Sequence, residues 1–305
     1  MAASTGAAPI EKWGVDSEKK IGNEDAQAYK AKVWADAIPW DYDLFRELLE
    51  KYSKIPSEEV ESEILRIRDK AWAIAKYPCI GYFTYLRLSE FGGNDAMIQK
   101  SIERLKAPGS QETFLELGGF MCQTIRRLAF EGVDSSRLYG TDLHPEFLEL
   151  GYEQFRDRGS IKATFVAGDL LASDEEYAAS EIAKTFNGKI TIAHAANFFH
   201  LFGWDAQLII CERIVGFFRR GLSPETPAVL FGAHLGTTEP GEMQAGIFKV
   251  FAHNEETFQA LWDEVGKKTG TSWKVSVEIL SLTAPKVNPF SENTRRMRYV
   301  VTGTL

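Results

Sequence analysis

Residues 112–128 read ETFLELGGFMCQTIRRL. A β-rich run from Thr113 to Leu117 carries an acid, Glu116, beside its end. It meets a glycine pair, Gly118-Gly119, and passes into a stretch with helical spacing. Strand, glycine turn and helix start in that order set free N–H groups next to backbone that a ligand can approach closely. The two glycines are adjacent, however, and the next is Gly132, so the G-x-G-x-x-G cradle of dinucleotide sites is absent.

Working outward, the same grammar repeats. The run at 113–117 is followed by a predicted helix over 120–131. RLYGTD (137–142) precedes a helix over 144–157, KATFVAGD (162–169) one over 174–187, KITIAHAA (189–196) one over 203–220, and PAVLFGAH (227–234) one near 254–269. Five strand–helix units in succession predict a parallel sheet with helices on both faces. The ending differs: 271–280 and 296–305 read as strands, and the segment 281–295 between them carries Pro285 and Pro289 and no helix. These two strands pair as an antiparallel hairpin, or one inserts antiparallel into the sheet. The fold class is therefore α/β and Rossmann-like: a seven-stranded, mostly parallel sheet with an antiparallel terminal hairpin.

Ahead of the first strand the chain is helical. WDYDLFRELLEKY (40–52) sets Leu44, Leu48 and Leu49 on one face. SEEVESEILRIRDKAWAIAKY (57–77) opens on a cap-like Ser57 with acids in its first turn and stops before Pro78, and NDAMIQKSIERLKAPG (94–109) ends on a Pro-Gly stop. Two units follow: a helical extension over 1–108, with an Ala/Ser/Thr/Gly-rich start expected to be disordered, and an α/β domain over 109–305.

The chain has 35 basic and 43 acidic residues in 305, a net charge of −8, which disfavours nucleic acid and anionic membrane surfaces as partners. Cys79, Cys122 and Cys211 are few, odd in number and without metal spacing, so no metal site and a reducing, cytoplasmic home are expected. No signal peptide or membrane-length apolar run is legible.

Ligands of such sheets bind at the carboxyl ends of the strands. Three acids gather there: Glu116 on the first strand, Asp142 at the end of the second and Asp169, in Gly168-Asp169-Leu170, at the end of the third. A pyrophosphate would be repelled by that set. A cationic, phosphate-free adenosine compound fits it, and S-adenosylmethionine is one. In this reading Glu116 faces the cationic methionine end, Asp142 takes the ribose hydroxyls and Asp169 accepts from the adenine amino group. Leu117, Gly118, Gly119, Leu143, Gly168 and Leu170 complete the cofactor rim.

The chain from about 110 onward resembles class I S-adenosylmethionine-dependent methyltransferases, through its E-x-G turn, the acid after strand two, the G-D after strand three and the terminal antiparallel pair. KYPCIGYFTYLRL, LELGGFMCQTIRRLAFEGV, YGTDLHPEFLELGYEQF and HAANFFHLFGWDAQ are more narrowly similar to fungal secondary-metabolism methyltransferases of meroterpenoid pathways. That resemblance implies an N-terminal helical lid, a carboxylate as the usual methyl acceptor, and Asn197 and Phe198 as cofactor-binding residues beside the transferable methyl. One departure stands out. The broader family carries further glycines in the first loop, where this chain has Phe120, Met121, Cys122 and Gln123, whose bulk either crowds the methionine moiety or sends the loop along another path.

On the acceptor side, His200 lies just past strand four and reads as a general base, a donor to an anionic acceptor, or a packing residue. His194 reads as a buried strand histidine and Trp204 as core or pocket wall. Tyr82 and Tyr85 either cover a sulfonium or pin the N-terminal helices to the sheet, and Arg87 pairs a substrate carboxylate or a surface acid. The long connection over 234–252 offers His234 and Met243 to a greasy acceptor pocket, or is an irregular helix start. Cys122 reads as packing, with Cys79 and Cys211 in the core. The leading function is O-methylation of a small hydrophobic metabolite of polyketide or terpenoid origin, foremost as a methyl ester. A methyltransferase fold repurposed as a cyclase or isomerase, a non-catalytic partner and, less well supported, a nicotinamide dehydrogenase are the alternatives. Homodimerisation through the Trp- and Leu-bearing N-terminal helices is also compatible.

Overall fold

The computed structural model describes residues 23–39, 41–88, 91, 95–245, 248–280 and 292–305. The small-residue start and most of the predicted proline loop lie outside them. Among the described residues nine strands are formed: β1 (Phe114–Leu117), β2 (Leu138–Asp142), β3 (Thr164–Ala167), β4 (Ile192–His194), β5 (Ala228–Thr237), β6 (Gly241–Ala245), β7 (Phe248–Ala252), β8 (Ser272–Leu280) and β9 (Thr294–Thr304). Seven make one sheet in the order β3-β2-β1-β4-β5-β9-β8. β1 to β5 pair in parallel, and β9 runs antiparallel to both β5 and β8. Both expectations for the chain's end hold at once: β8 and β9 pair with each other, and β9 is also inserted beside β5.

The central strands are buried on both faces, as continuous apolar runs in a covered parallel sheet must be. Alternate residues of one strand enter opposite cores. Phe114 joins the layer that holds the N-terminal helices, whereas Leu115 and Leu117 join the layer that holds Phe186, Ile214 and Trp262.

The helices are α1 (Asn23–Val33), α2 (Asp43–Glu47), α3 (Val60–Ile74), α4 (Pro78–Gly81), α5 (Ala96–Lys106), α6 (Gln123–Phe130), α7 (Pro145–Phe155), α8 (Asp174–Ala179), α9 (Glu181–Phe186), α10 (Trp204–Phe217) and α11 (Glu255–Thr269). α2 runs into a π-helical turn, Leu48–Tyr52, that buries Leu48 and Leu49 with Phe45, leaving Leu44 half-buried.

Three local expectations are corrected. Ser57 caps nothing: 57–59 form a turn, and α3 begins at Val60 after Glu59, which makes no side-chain cap. The single helix expected over 174–187 is two, because the Ser180 hydroxyl accepts from the Ala183 amide and starts a new helix there. The connection at 234–252 is neither loop nor helix start. It continues β5 to Thr237 and then forms the β6–β7 antiparallel hairpin.

A buried ion pair ties α6 to the end of α7 and to the N-terminal helices. Arg126 in α6 donates from Nε to Asp157 Oδ2 at 2.8 Å and from Nη2 to Oδ1 at 3.1 Å. The Tyr52 hydroxyl donates to the same carboxylate at 2.9 Å. Arg126 Nη1 reaches back to the Met121 carbonyl at 2.6 Å, so the network also clamps the glycine turn.

Candidate active site

The turn after β1 is fixed by its own backbone. The Gly119 amide donates to the Thr141 carbonyl at 2.9 Å, and the Cys122 amide to the Gly119 carbonyl at 2.7 Å. Gly118 has a φ of +58°, and a Cβ there would lie 2.6 Å from the Phe198 ring, so glycine is required twice over.

The residues that replace the missing glycines take another path. Phe120 and Cys122 adopt left-handed φ of +55° and +50°. The Phe120 ring leaves the turn and packs on Phe147 of α7, with centroids 4.6 Å apart, and on Tyr85 at 5.2 Å. The Cys122 sulfur fills the space beside Gly119 and Gly140, where added Cβ atoms would come within 2.7 and 2.6 Å of it. Cys122 is a buried packing residue, and burial pushes its thiol well above the usual range.

Asp142 closes the second side of the rim. Its Oδ2 accepts from the Phe120 amide at 2.8 Å and its Oδ1 from the His144 amide at 3.0 Å. Each oxygen keeps lone-pair capacity for a further donor. Burial raises the carboxyl to about 6, against the opposing pull of these backbone N–H groups. Its carbonyl accepts from the Gly168 amide at 3.0 Å, and Asp169 Oδ1 accepts from the Leu171 amide at 2.7 Å, with Leu143 and Leu170 alongside. Glu116 is buried in β1 next to Leu117, its Oε1 4.0 Å from Nδ1 of His194. His194 is the buried strand histidine expected, packed between Phe114 and Phe231.

The N-terminal segment reaches this rim through Tyr77 and Tyr85. Tyr77 packs on His144 and Phe147, and its hydroxyl is pushed up by burial and then by the Asp142 charge. Tyr85 is buried against Phe120 and Phe45. Its hydroxyl and the nearby Gln123 Oε1 are buried without a hydrogen-bond partner among the described residues. Such groups beside a glycine turn suit a polar ligand, because leaving them unserved costs free energy. Tyr82 instead donates to the Lys32 carbonyl and ties α4 to α1, and Arg87 is exposed in the 3₁₀ turn Thr84–Arg87.

Beyond β4 the chain turns at Asn197, φ +51°, whose amide donates to the Ala233 carbonyl at 2.8 Å. Its Oδ1 accepts from Arg296 Nη1 at 2.5 Å. His200 follows, and its Nδ1 accepts from the Leu235 amide at 3.2 Å. An N–H donor needs a lone pair, so Nδ1 carries no proton and a neutral ring carries it on Nε2. Burial and then the Arg296 charge depress His200 to about 3.

His200 and Met243 share one narrow cleft with Leu235, Val250, Ala252 and Thr294, so the unforeseen hairpin supplies its apolar wall. His234 is buried behind it on Tyr299, its basicity lowered well below the ordinary value by burial and then by the other histidines. Trp204 packs on Phe251 and His253. A larger groove of about 660 Å³ runs along the outer faces of α3 and α7, between Lys70, Glu153 and Arg158; the chemistry-bearing rim residues do not line it. The sequence reading passed over Tyr77 and Arg296. The first was visible as one more aromatic ahead of Pro78, the second only as one of several arginines in a strand.

The parallel sheet in the order 3-2-1-4-5 extended by an antiparallel strand inserted beside β5, with an acid and glycine rim at its carboxyl edge, defines the class I S-adenosylmethionine-dependent methyltransferase fold. Within that class, the chain belongs to a family of fungal methyltransferases. Residues 36–86 match the family profile described as the meroterpenoid methyltransferase N-terminal domain. The chain is 39% identical to the O-methyltransferase phiE of a fungal species over 238 residues, 77% of this chain and 75% of that one. It is 33% identical to the O-methyltransferase atr3 of Stereocaulon alpinum over 84% of this chain and 71% of that protein. It is 34% identical to the asnovolin E/chermesin D methyltransferase nvfJ of Aspergillus novofumigatus over 76% and 79%. No helix among the described residues is long and apolar enough to cross a membrane.

Proposed function

We propose that this chain transfers the methyl group of S-adenosylmethionine to the carboxylate of a small hydrophobic fungal metabolite, giving a methyl ester. When bound, the cofactor would supply an electrophilic methyl on a sulfonium, and the acceptor oxygen would gain the bond to carbon that the sulfur loses. Asp142 takes the ribose hydroxyls on its two oxygens, Asp169 accepts from the adenine amino group, and Glu116 faces the cationic methionine end. The turn at Gly118-Gly119 lets the backbone approach, and Phe198 and the Asn197 turn border the methyl. Residues 1–108 act as a lid whose Tyr77 and Tyr85 close on the rim of the domain at 109–305. The departure that favoured a repurposed fold, Phe120 to Gln123, has a packing account in the Phe120 contacts with Phe147 and Tyr85. The cytoplasm is the proposed compartment, in keeping with three free cysteines.

The observation that carries the choice of acceptor is the hydrogen bond from Leu235 to His200 Nδ1. It leaves His200 an Nε2–H donor with little basicity. A phenol or alcohol needs a base, whereas a carboxylate is already ionised and needs alignment and donors. Removing a true base costs about 10²–10⁴-fold. His200→Gln, which keeps an N–H donor, is therefore expected to retain kcat/KM on an acid within about tenfold and to leave the rate flat between pH 6 and 9. The assay supplies methyl-labelled cofactor with a farnesyl-substituted benzoic acid and its phenol counterpart. Label in the ester supports the reading. Label in the ether alone, lost in His200→Gln, sinks it.

A further inference from the structure

We infer that Phe120 is a positioning residue that couples the N-terminal helical segment to the cofactor site: its amide orients Asp142, and its ring is held by Tyr85 of that segment. This assignment rests on the ribose role of Asp142 proposed above and deepens it. One residue serves both sides. The Phe120 amide donates to Asp142 Oδ2 at 2.8 Å. The Phe120 ring lies 4.6 Å from Phe147 and 5.2 Å from Tyr85, centroid to centroid.

The backbone shows why the ring matters. Phe120 sits at φ +55° and Cys122 at +50°, left-handed values that are unfavourable for any residue bearing a Cβ. Such backbone persists only where its surroundings hold it. The ring supplies that hold, because leaving the left-handed region would swing it off Phe147 and Tyr85. The facing turn of the N-terminal segment is built the same way: Thr84–Arg87 is flanked by Phe83 at φ +58° and Leu88 at +39°, both buried. Tyr85 is itself wedged on Phe45 of α2, which packs on Phe155 at the end of α7. A second bond joins the same two turns, from Gln123 Nε2 at the start of α6 to the Tyr85 carbonyl at 3.4 Å. Seating Tyr85 therefore holds Phe120 left-handed, and a left-handed Phe120 aims its amide at the Asp142 carboxylate. A glycine at 120 would adopt this backbone unaided. With phenylalanine there, the ribose carboxylate is fully oriented only when the N-terminal segment is docked.

Calorimetric titration with S-adenosylhomocysteine separates this coupling from ordinary packing. Packing alone ranks the proteins by side-chain size: wild type tightest, Phe120→Ala next, Phe120→Gly weakest. Backbone strain reverses the last two. Phe120→Ala is expected to bind about 5–30-fold more weakly than the wild type, the left-handed penalty read as affinity, and Phe120→Gly to bind at least about threefold more tightly than Phe120→Ala. Tyr85→Leu is expected to weaken binding by a similar factor when Phe120 is present and by less than about twofold on Phe120→Gly, because two residues that act through one contact are not additive. Tyr85→Phe, which keeps the ring, should bind as the wild type does. Cooperative thermal unfolding without ligand shows which variants are folded, and the Phe120 pair decides the matter by itself if Tyr85→Leu is not. Phe120→Ala binding as tightly as Phe120→Gly, or a folded Tyr85→Leu costing the same in both backgrounds, overturns the coupling. An Asp142→Ala variant with unchanged affinity overturns the ribose reading and the coupling together.

Discussion

Replacing Asp157 by alanine is expected to destabilise the fold by about 3–5 kcal/mol, the cost of stranding a buried charge. At roughly 2–4 °C per kcal/mol for a chain of this size, the melting temperature should fall by about 6–20 °C. Arg126 is fully buried beneath the rings of Phe155 and Phe165, 4.8 and 4.7 Å from its guanidinium carbon. It has no solvent-exposed surface, and in the variant, among the described residues, the Met121 and Cys122 carbonyls are what would still accept from it. Tyr52 would lose its acceptor as well, loosening the link between the N-terminal helices and the sheet domain. The double variant Arg126→Met, Asp157→Ala separates charge from packing. If the stranded guanidinium is the cause, the double variant melts well above the single one, because removing both partners spares the desolvation. Thermal unfolding of both proteins decides it, and a single variant that melts within 2 °C of the wild type refutes the argument.

The sheet was legible because a covered parallel strand is a continuous β-rich run, and the first three runs here end on a glycine or an acid. The rim acids were legible for the same reason: Glu116, Asp142 and Asp169 announce themselves by position at strand ends. What stayed hidden depends on distant partners or on competing local bonds. Ser180 looks like one polar residue in a helical stretch, and only its bond to the Ala183 amide shows that one helix ends there and another begins. The β6–β7 hairpin has no Asn-Gly or Asp-Gly turn to announce it. Its place is set by tertiary bonds, from the Phe251 amide to the Phe202 carbonyl and from Gln207 Nε2 to the Phe251 carbonyl. The bond that Arg296 donates to Asn197 was equally hidden. That meeting, across 99 residues, follows from the insertion of β9 beside β5.

Asp142→Ala is expected to weaken S-adenosylmethionine binding by about 10²–10⁴-fold, the sum of two hydrogen bonds to a charged group at about 1.5–3 kcal/mol each. The wild type should carry a pH signature of the same interaction. The folded carboxyl titrates at about 6, raised by burial from its ordinary value of 3.8. A raised carboxyl stabilises the ligand-free fold fully only below the unfolded value, and this contribution is lost as pH rises through 6. Binding works the other way. Ribose hydroxyls donate to the ionised form, so affinity is constant above pH 6. Below it, affinity falls by up to tenfold per unit as one carboxyl oxygen takes a proton and turns from acceptor to donor. Asp142→Asn holds the neutral state at every pH, so its affinity should be low and flat across the same range. Calorimetric titration of wild type and Asp142→Asn between pH 4.5 and 7 reads both effects, with cofactor ammonium and carboxylate charges constant over that window. A wild-type affinity that does not change with pH, or an alanine variant that binds as tightly as the wild type, would remove Asp142 from the ribose.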